Sequence, residues 1–272
     1  MDKRIGFIGT GHMARALASG FIRAQSITKD KIFGYDVSAA AAQRFVEQTG
    51  GTKASNIREL VAGSDVVILA VKPQQVKEVL RTIGSLRASG YNPLWITIAA
   101  GVSIQTYLKD MGNTARLVRV MPNTPCLVGQ GVSGFAVSDG VSKDDVQLAM
   151  ELLTTVGIAI QFPERQLDAV SGLSGSGPAY VYMMIEAMSD GGVKMGLSRE
   201  QATQLAAQTV LGSAMVVSQT GEHPAVLKDK VCSPRGTTIS AVHVLEKSHF
   251  RASLIEAIEA ATLRSREMGA EM

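Results

Sequence analysis

The chain has only two cysteines, Cys126 and Cys232, and neither belongs to a C-x-x-C pair. A disulfide scaffold and a cysteine-rich zinc site are therefore excluded. Charge of one sign is scarce too. The 27 basic and 24 acidic residues leave a formal net charge of +3, with no basic run beyond Lys3-Arg4. Nucleic acid is accordingly not an expected partner. No apolar run approaches the ~18 residues that a membrane span requires. The first residues lead straight into Ile5-Gly6-Phe7-Ile8, with no apolar segment followed by a cleavage site. The expectation is a cytoplasmic protein that does not enter a membrane. Aromatic residues are only 5% of the chain, and Trp95 is the single tryptophan. Catalytic signatures are missing as well: there is no Ser/His/Asp set and no H-E-x-x-H. Of the four histidines, His12 lies in a glycine loop, and His223, His243 and His249 read as surface or helix residues. No metal site is expected, so a bound cofactor must carry any chemistry.

What is present is a large apolar fraction, 46% of 272 residues, and 27 glycines. That length predicts about two domains and supports a sizeable core. Over the first 160 or so residues, short apolar runs alternate with helical periodicity. Strands are predicted at 3–8, 31–36, 65–71, 94–99, 115–121, 134–137 and 158–162. Helices are predicted at 14–24, 39–48, 75–83, 103–109 and 143–156. The run Asp65-Val66-Val67-Ile68-Leu69-Ala70-Val71 is apolar throughout its middle, as in a strand buried on both faces of a parallel sheet. This alternation predicts a doubly wound α/β sheet of the Rossmann type. Beyond Pro163 the texture changes to helix alone, for example in the spacing of Ala202, Leu205, Ala206, Thr209, Val210, Ser213, Ala214 and Val217. The predicted division is 1–162 and 163–272. So small a helical half, with faces of Ala, Met, Val and Gly, is expected to bury surface against a second copy of itself.

The first strand runs into Gly9-Thr10-Gly11-His12-Met13-Ala14, a G-x-G-x-x-A pattern that opens a helix. The first glycine permits a tight turn, the second lets a pyrophosphate approach bare backbone, and a small third residue lets helix and strand pack closely. Free N–H groups at the helix start then face the phosphate. Asp36 stands at the end of the second strand. An acidic residue there hydrogen-bonds the ribose 2′-hydroxyl and disfavours a 2′-phosphate, unless it serves only as a turn or cap residue. Arg44 and Lys53 are the nearest bases that could support a phosphate instead, so the choice between NADH and NADPH stays open at this point. Three further strand ends would line the crevice outside the carboxyl edge of such a sheet: Ala70-Val71-Lys72-Pro73, Ala99-Ala100-Gly101 and Met121-Pro122-Asn123-Thr124-Pro125. In the helical half, Ser174-Gly175-Ser176-Gly177-Pro178 and Ser233-Pro234-Arg235-Gly236-Thr237-Thr238 precede predicted helices. Each suits either plain helix capping or the binding of a small anion such as a carboxylate.

In these motifs, and over essentially its whole length, the chain resembles the pyrroline-5-carboxylate reductases. The resemblance rests on Gly6-Phe7-Ile8-Gly9-Thr10-Gly11-His12-Met13, the three strand ends above, Gly172-Leu173-Ser174-Gly175-Ser176-Gly177-Pro178-Ala179-Tyr180, and the stretch from Leu227 to Ile239. It implies a Rossmann domain followed by an all-helical dimerisation domain, a homodimer that can assemble further into a decamer, and reduction of L-1-pyrroline-5-carboxylate to L-proline, the last step of proline biosynthesis. NADPH is the implied cofactor, with NADH admitted by Asp36. By position, Thr10, His12 and Met13 are implied to face the pyrophosphate, with Gly9 and Gly11 shaping the loop. Asn56 and Lys72 are implied near the adenosine, with Ala70, Val71 and Pro73 beside them. Ala99, Ala100, Gly101, Met121 and Asn123 are implied around the nicotinamide. The substrate is implied to be held by Ser233 and by the N–H groups of Gly236 and Thr237, with the Thr238 hydroxyl at the ring nitrogen as the catalytic contact. Arg235 departs from the family, which usually has glycine there. The rival enzyme class is the β-hydroxyacid dehydrogenases, which rely on a lysine in the second domain, and Lys194 and Lys228 are the candidates. A nucleotide sensor without catalysis is the rival outside enzymes.

Overall fold

The computed structural model describes residues 1–86 and 90–270. Eight strands form one sheet among these residues: β1 (Ile5–Ile8), β2 (Ile32–Tyr35), β3 (Thr52–Lys53), β4 (Val66–Leu69), β5 (Leu94–Thr97), β6 (Leu117–Met121), β7 (Gly131–Val137) and β8 (Gly157–Gln161). Their order is β3-β2-β1-β4-β5-β6-β7-β8. All neighbours pair parallel except β6 and β7, which are antiparallel. The reversal of strand order between β1 and β4 is the topological switch point of a Rossmann sheet, and it places a crevice at the ends of those two strands.

The helices on the sheet are α1 (His12–Arg23), α2 (Ala39–Thr49), α3 (Ile57–Ala62), α4 (Val76–Leu86), α5 (Ile104–Met111) and α6 (Lys143–Thr154). Successive strand residues serve opposite layers. Ile5, Phe7, Val66, Ile68 and Ile96 join one core with α1 and α6, while Ile8, Val67, Leu69 and Trp95 join another with α3, α4 and α5. This is why β4 is buried at every position. Phe7, with its ring 5.5 Å from Phe45 and 6.4 Å from Phe21, is fully buried at the centre of the first layer. Burial of such a side chain contributes about 2–3 kcal/mol.

The predicted strands and helices all occur, with ends shifted by up to three residues. Two elements were not predicted, β3 and α3. Both residues of β3 are exposed, and α3 is only six residues long, so neither shows a full period of burial.

Asp145 fastens α6 to the strand edge. It completes a capping box with Ser142 and is held by the Arg116 guanidinium, whose Nη1 also donates to the Asn92 carbonyl at 3.0 Å. The Arg116 hydrogen bonds, aided by those from Ser142, lower the Asp145 pKa from 3.8 to about 2. The folded pKa is depressed, so the contribution to stability is complete above the unfolded value and is lost as pH falls through the folded one. At about 1.4 kcal/mol per unit this amounts to about 2 kcal/mol. Asp145→Asn is therefore expected to lower stability by about 2 kcal/mol at neutral pH. The gap between variant and parent should close between pH 4 and pH 2 in denaturant melts.

By contact density the chain forms two compact units, Met1–Ser176 with Glu259–Met272, and Gly177–Ile258. Residues 164–176 stay with the sheet because Leu167 is buried in its second layer and Val170 lies against Gly134. They contain a short helix, α7 (Leu167–Val170), and a π-helical turn at Ser171–Gly175.

The second unit holds α8 (Gly177–Lys194), α9 (Arg199–Thr220), α10 (Pro224–Lys230), α11 (Thr237–Lys247) and the start of α12 (Phe250–Ala270). Helices α8 and α9 pack together through Gly192 on Ala202, and the Ser189 hydroxyl lies 2.8 Å from that of Thr203. Only Ser189, Ala202 and Ala206 are buried in α8 to α11. Met183 (69% exposed), Leu205, Leu211, Val244 and Ile255 all face outward. This unit has the apolar side chains of a core but does not bury them within one chain. Exposed apolar surface on this scale marks an interaction face.

Candidate active site

The crevice at the carboxyl edge is assembled from the strand ends named by the sequence. Gly9 ends β1 in the left-handed region (φ +89°), and a Cβ there would stand 2.8 Å from the Ala70 carbonyl and the Val71 nitrogen. Its N–H donates to the Tyr35 carbonyl at 2.8 Å, which ties β1 to β2. Gly11 is the N-cap of α1, in extended backbone and with no side-chain cap. Nothing lies within 4 Å of where its Cβ would be. The first turn of α1 contains no acidic residue. Its first N–H groups, including those of His12 and Met13, have no partner within the helix. Ala14 is buried where the third small residue of the pattern must pack. These features fit a dinucleotide pyrophosphate.

Thr10 and Asp36 are joined. The Thr10 N–H and hydroxyl donate to Asp36 Oδ2 at 2.8 and 3.1 Å, and the Ser38 N–H donates to Oδ1 at 2.9 Å. Thr10 is fully buried, so its N–H is spent on Asp36. Asn56 caps α3, accepting from the Glu59 N–H at 2.9 Å, and Lys72 is exposed at the start of a single 3₁₀ turn led by Pro73. Both the oxygen and the nitrogen of the Asn123 amide make a bond within the chain. Its Nδ2 donates to the Ser174 carbonyl at 3.0 Å and its Oδ1 accepts from the Val132 N–H at 2.8 Å. Asn123 thus staples the loop after β6 to the π-helical turn, where Met121 also lies against Gly175.

The loop after β5 is buttressed from beneath by residues that sequence reasoning did not single out. Thr97 and Tyr107 share a buried hydroxyl contact of 2.5 Å, and burial pushes the Tyr107 pKa up to about 12. The Ala99 N–H leans on the same Thr97 oxygen at 3.4 Å. Arg119, almost buried on β6, pairs with Glu164 at 2.8 Å, and Glu164 also accepts from the Ile104 N–H at 2.7 Å. Asp168 lies 4.0 Å from Arg119 and accepts from the Ser265 hydroxyl at 2.7 Å. Gly101 (φ +76°) lets the chain turn where Met268 and Gly269 of α12 press on it. The one available signal was a lone arginine within Leu117-Val118-Arg119-Val120-Met121, which is costly in a buried strand unless paired.

In the second unit, Gly236 and not a threonine is the N-cap of α11, and no side chain caps that helix. Thr237 and Thr238 are its first two residues. Neither hydroxyl has a hydrogen-bond partner among the described residues, because no preceding helical turn offers a carbonyl. The free N–H groups and hydroxyls can accept a small carboxylate and a ring N–H. Arg235 has φ +59°, a left-handed conformation that costs a non-glycine residue about 1–2 kcal/mol. Glycine would be free of that cost. His223 caps α10 through Nδ1, and Lys228 pairs with the adjacent Asp229. No cluster of three His, Cys, Asp or Glu side chains suited to a metal occurs among the described residues.

Comparison with known proteins decides the family. The Arabidopsis thaliana pyrroline-5-carboxylate reductase is 43% identical over 265 residues, covering 97% of this chain and 95% of that protein. The chain belongs to the pyrroline-5-carboxylate reductase family. The family's dimerisation model matches residues 164–268, and a model described as NADP oxidoreductase, coenzyme F420-dependent, matches residues 4–101. The Methanosarcina acetivorans member is 42% identical, with 98% of each chain covered. Among solved structures, the Plasmodium falciparum pyrroline carboxylate reductase with NADP bound superposes with a TM-score of 0.89 at 35% identity, covering 98% of both chains.

Proposed function

We propose that the chain reduces L-1-pyrroline-5-carboxylate to L-proline, the closing step of proline biosynthesis, with NADPH as donor and NADH as a second one. The observation that carries the reading is the pairing of two uncapped helix starts in one family member: α1 behind Gly9-Thr10-Gly11, and α11 behind Gly236. The first fits a pyrophosphate and the second a carboxylate.

A bound reduced nicotinamide supplies the hydride that turns the C=N bond into CH–NH. The rest falls to positioning by the chain. Gly11, His12 and Met13 hold the pyrophosphate through backbone N–H groups. Asn56, Lys72 and the Ala70 to Pro73 turn flank the adenosine, and the loops at Ala99 to Gly101 and at Met121 flank the nicotinamide. Asn123 acts on that side through the backbone it pins. Gly236 and Thr237 N–H groups, with Ser233 beside them, hold the substrate carboxylate. The Thr238 hydroxyl holds the ring nitrogen, whose proton is already present in the cyclic iminium form, so no strong acid is required. Orientation of this kind contributes several kcal/mol.

The functional division at 1–162 and 163–272 belongs to this proposal and is supported by a dimerisation match that begins at residue 164. Residues 87–89, 271 and 272 of that division lie outside the described ones. A homodimer is supported by the same match and by the apolar side chains left outward in α8 to α12, and dimers are proposed to assemble to a decamer. No helix among the described residues is long and apolar enough to cross a membrane. A cytoplasmic location without nucleic acid or membrane partners is proposed with it.

The test is the loss of nicotinamide absorbance on adding fresh pyrroline carboxylate, with light scattering for mass. Turnover by an oligomer is expected. Cofactor binding without turnover would overturn the reaction, and an active monomer would overturn the assembly. Lys194→Met and Lys228→Met should both stay active, which separates this chemistry from that of a lysine-dependent dehydrogenase.

A further inference from the structure

Three points hold the loop between β5 and α5. At its near end the Ala99 N–H lies 3.4 Å from the Thr97 hydroxyl, which is buried against that of Tyr107. In its middle Gly101 is pressed by Met268 and Gly269. At its far end Ile104, the first residue of α5, gives its N–H to Glu164 Oε1 at 2.7 Å. A helix start leaves such donors without an intrahelical partner, and Ser103 takes only the one from Thr106. The first turn of α5 has no acidic residue of its own, so Glu164 supplies the carboxylate that suits the positive end of the helix. Glu164 is itself fixed, because Arg119 Nη1 donates to the same Oε1 at 2.8 Å. Arg119 is buried on β6 and therefore stands on a rigid base. Asp168, held by the Ser265 hydroxyl, lies 4.0 Å from its other guanidinium nitrogen. All of these residues belong to one compact unit.

We propose that Glu164 is a positioning residue for hydride transfer. Anchored by Arg119, it fixes the start of α5 and with it the backbone of Ala99 to Gly101, the wall against which the nicotinamide lies. The inference rests on reading that loop as the nicotinamide wall under the proposed function. It adds that the wall owes its rigidity to a carboxylate that touches neither cofactor nor substrate. Glu164, Asp168 and Ser265 lie within the dimerisation match, whereas Ile104 and Arg119 precede it. The part of that match that stays with the sheet thus sets the geometry of the cofactor loop of its own chain.

The test compares the parent with Glu164→Ala, Glu164→Gln and Asp145→Asn. The Glu164 side chain is 32% exposed, so its replacement is compatible with folding. Alanine removes the acceptor for Ile104, glutamine keeps one, and Asp145→Asn is a destabilised control on α6 that leaves the loop alone. In Glu164→Ala, kcat is expected to fall about ten-fold or more while KM for pyrroline carboxylate stays within about three-fold, because misplacement of the ring slows the chemical step. Glu164→Gln should keep kcat within about three-fold of the parent, and Asp145→Asn should leave it unchanged. A second readout needs no turnover. The dissociation constant for NADPH divided by that for 2′-phospho-ADP-ribose, which lacks the nicotinamide, is expected to rise about five-fold in Glu164→Ala alone. An alanine variant with kcat near that of the parent, or an equal loss of affinity for both ligands, overturns the proposal. A glutamine variant as slow as the alanine one would overturn the role of the Ile104 bond. If the parent reduces no imine, the reaction reading fails, while the ratio of dissociation constants still decides whether Glu164 positions the loop.

Discussion

Alanine in place of Gly9 will weaken cofactor binding by at least about a hundred-fold and lower stability by about 2–5 kcal/mol. Two costs add. The residue sits at φ +89°, where an L side chain costs about 1–2 kcal/mol. The new Cβ would also stand 2.8 Å from backbone atoms of Ala70 and Val71, which belong to the neighbouring strand end and cannot swing aside as a side chain can. Overpacking of this kind costs about 1–3 kcal/mol. Relief requires Gly9 to move. That movement breaks its bond to the Tyr35 carbonyl and turns the first N–H groups of α1 away from the phosphate. Gly11→Ala is the informative control. Its Cβ meets nothing within 4 Å in the protein, so stability should hold while dinucleotide binding falls because the methyl enters the space the pyrophosphate needs. The measurements are calorimetric titration with NADPH and thermal melts. A Gly9→Ala protein that binds NADPH within three-fold of the parent would remove the phosphate-loop assignment.

The parts of this molecule that were legible in the sequence are those whose cause is local. Residues 65–71 read as a doubly buried strand because every neighbour is apolar, and the glycine loop reads as a phosphate cradle because strand, turn and helix follow each other directly. The change of texture beyond Pro163 predicted the helical half, and the outward Met183, Leu205 and Val244 accord with a half that is incomplete in one chain. What was not legible depends on partners distant in sequence. Asn123 read as a nicotinamide contact, and its amide bonds to Ser174 and Val132 were not foreseen. Asp36 offered two readings, ribose ligand or turn residue, and the structure shows it engaged with Thr10 and Ser38 while keeping one acceptor direction. The Arg119, Glu164 and Asp168 set joins residues more than 40 positions apart, which no periodicity can reveal. Thr237 and Thr238 looked like caps by residue type, but a cap is a matter of backbone angle, and Gly236 takes that place.

That displacement of the cap gives the second large prediction its force. Thr238→Ala is expected to reduce catalytic efficiency about 10- to 100-fold and leave the dissociation constant for NADPH within two-fold. Were Thr238 the N-cap, its loss would unravel the start of α11 at a cost of about 1 kcal/mol and any kinetic change would be ambiguous. As the second helical residue it has no capping bond to lose. Threonines placed deeper in helices here, such as Thr49, Thr209 and Thr220, return their hydroxyls to the carbonyl four residues earlier. Thr238 has no such carbonyl, so its hydroxyl remains available to a ring nitrogen. A hydrogen bond to a charged group contributes about 1.5–3 kcal/mol, which corresponds to the stated range in rate. Thr238→Ser restores the hydroxyl and should recover activity to within about three-fold of the parent, whereas Thr238→Val, of nearly the same shape, should not. Steady-state kinetics against pyrroline carboxylate, with NADPH binding followed by fluorescence, separates the outcomes. If valine is as active as serine, the hydroxyl has no part in the reaction and α11 contributes its backbone alone.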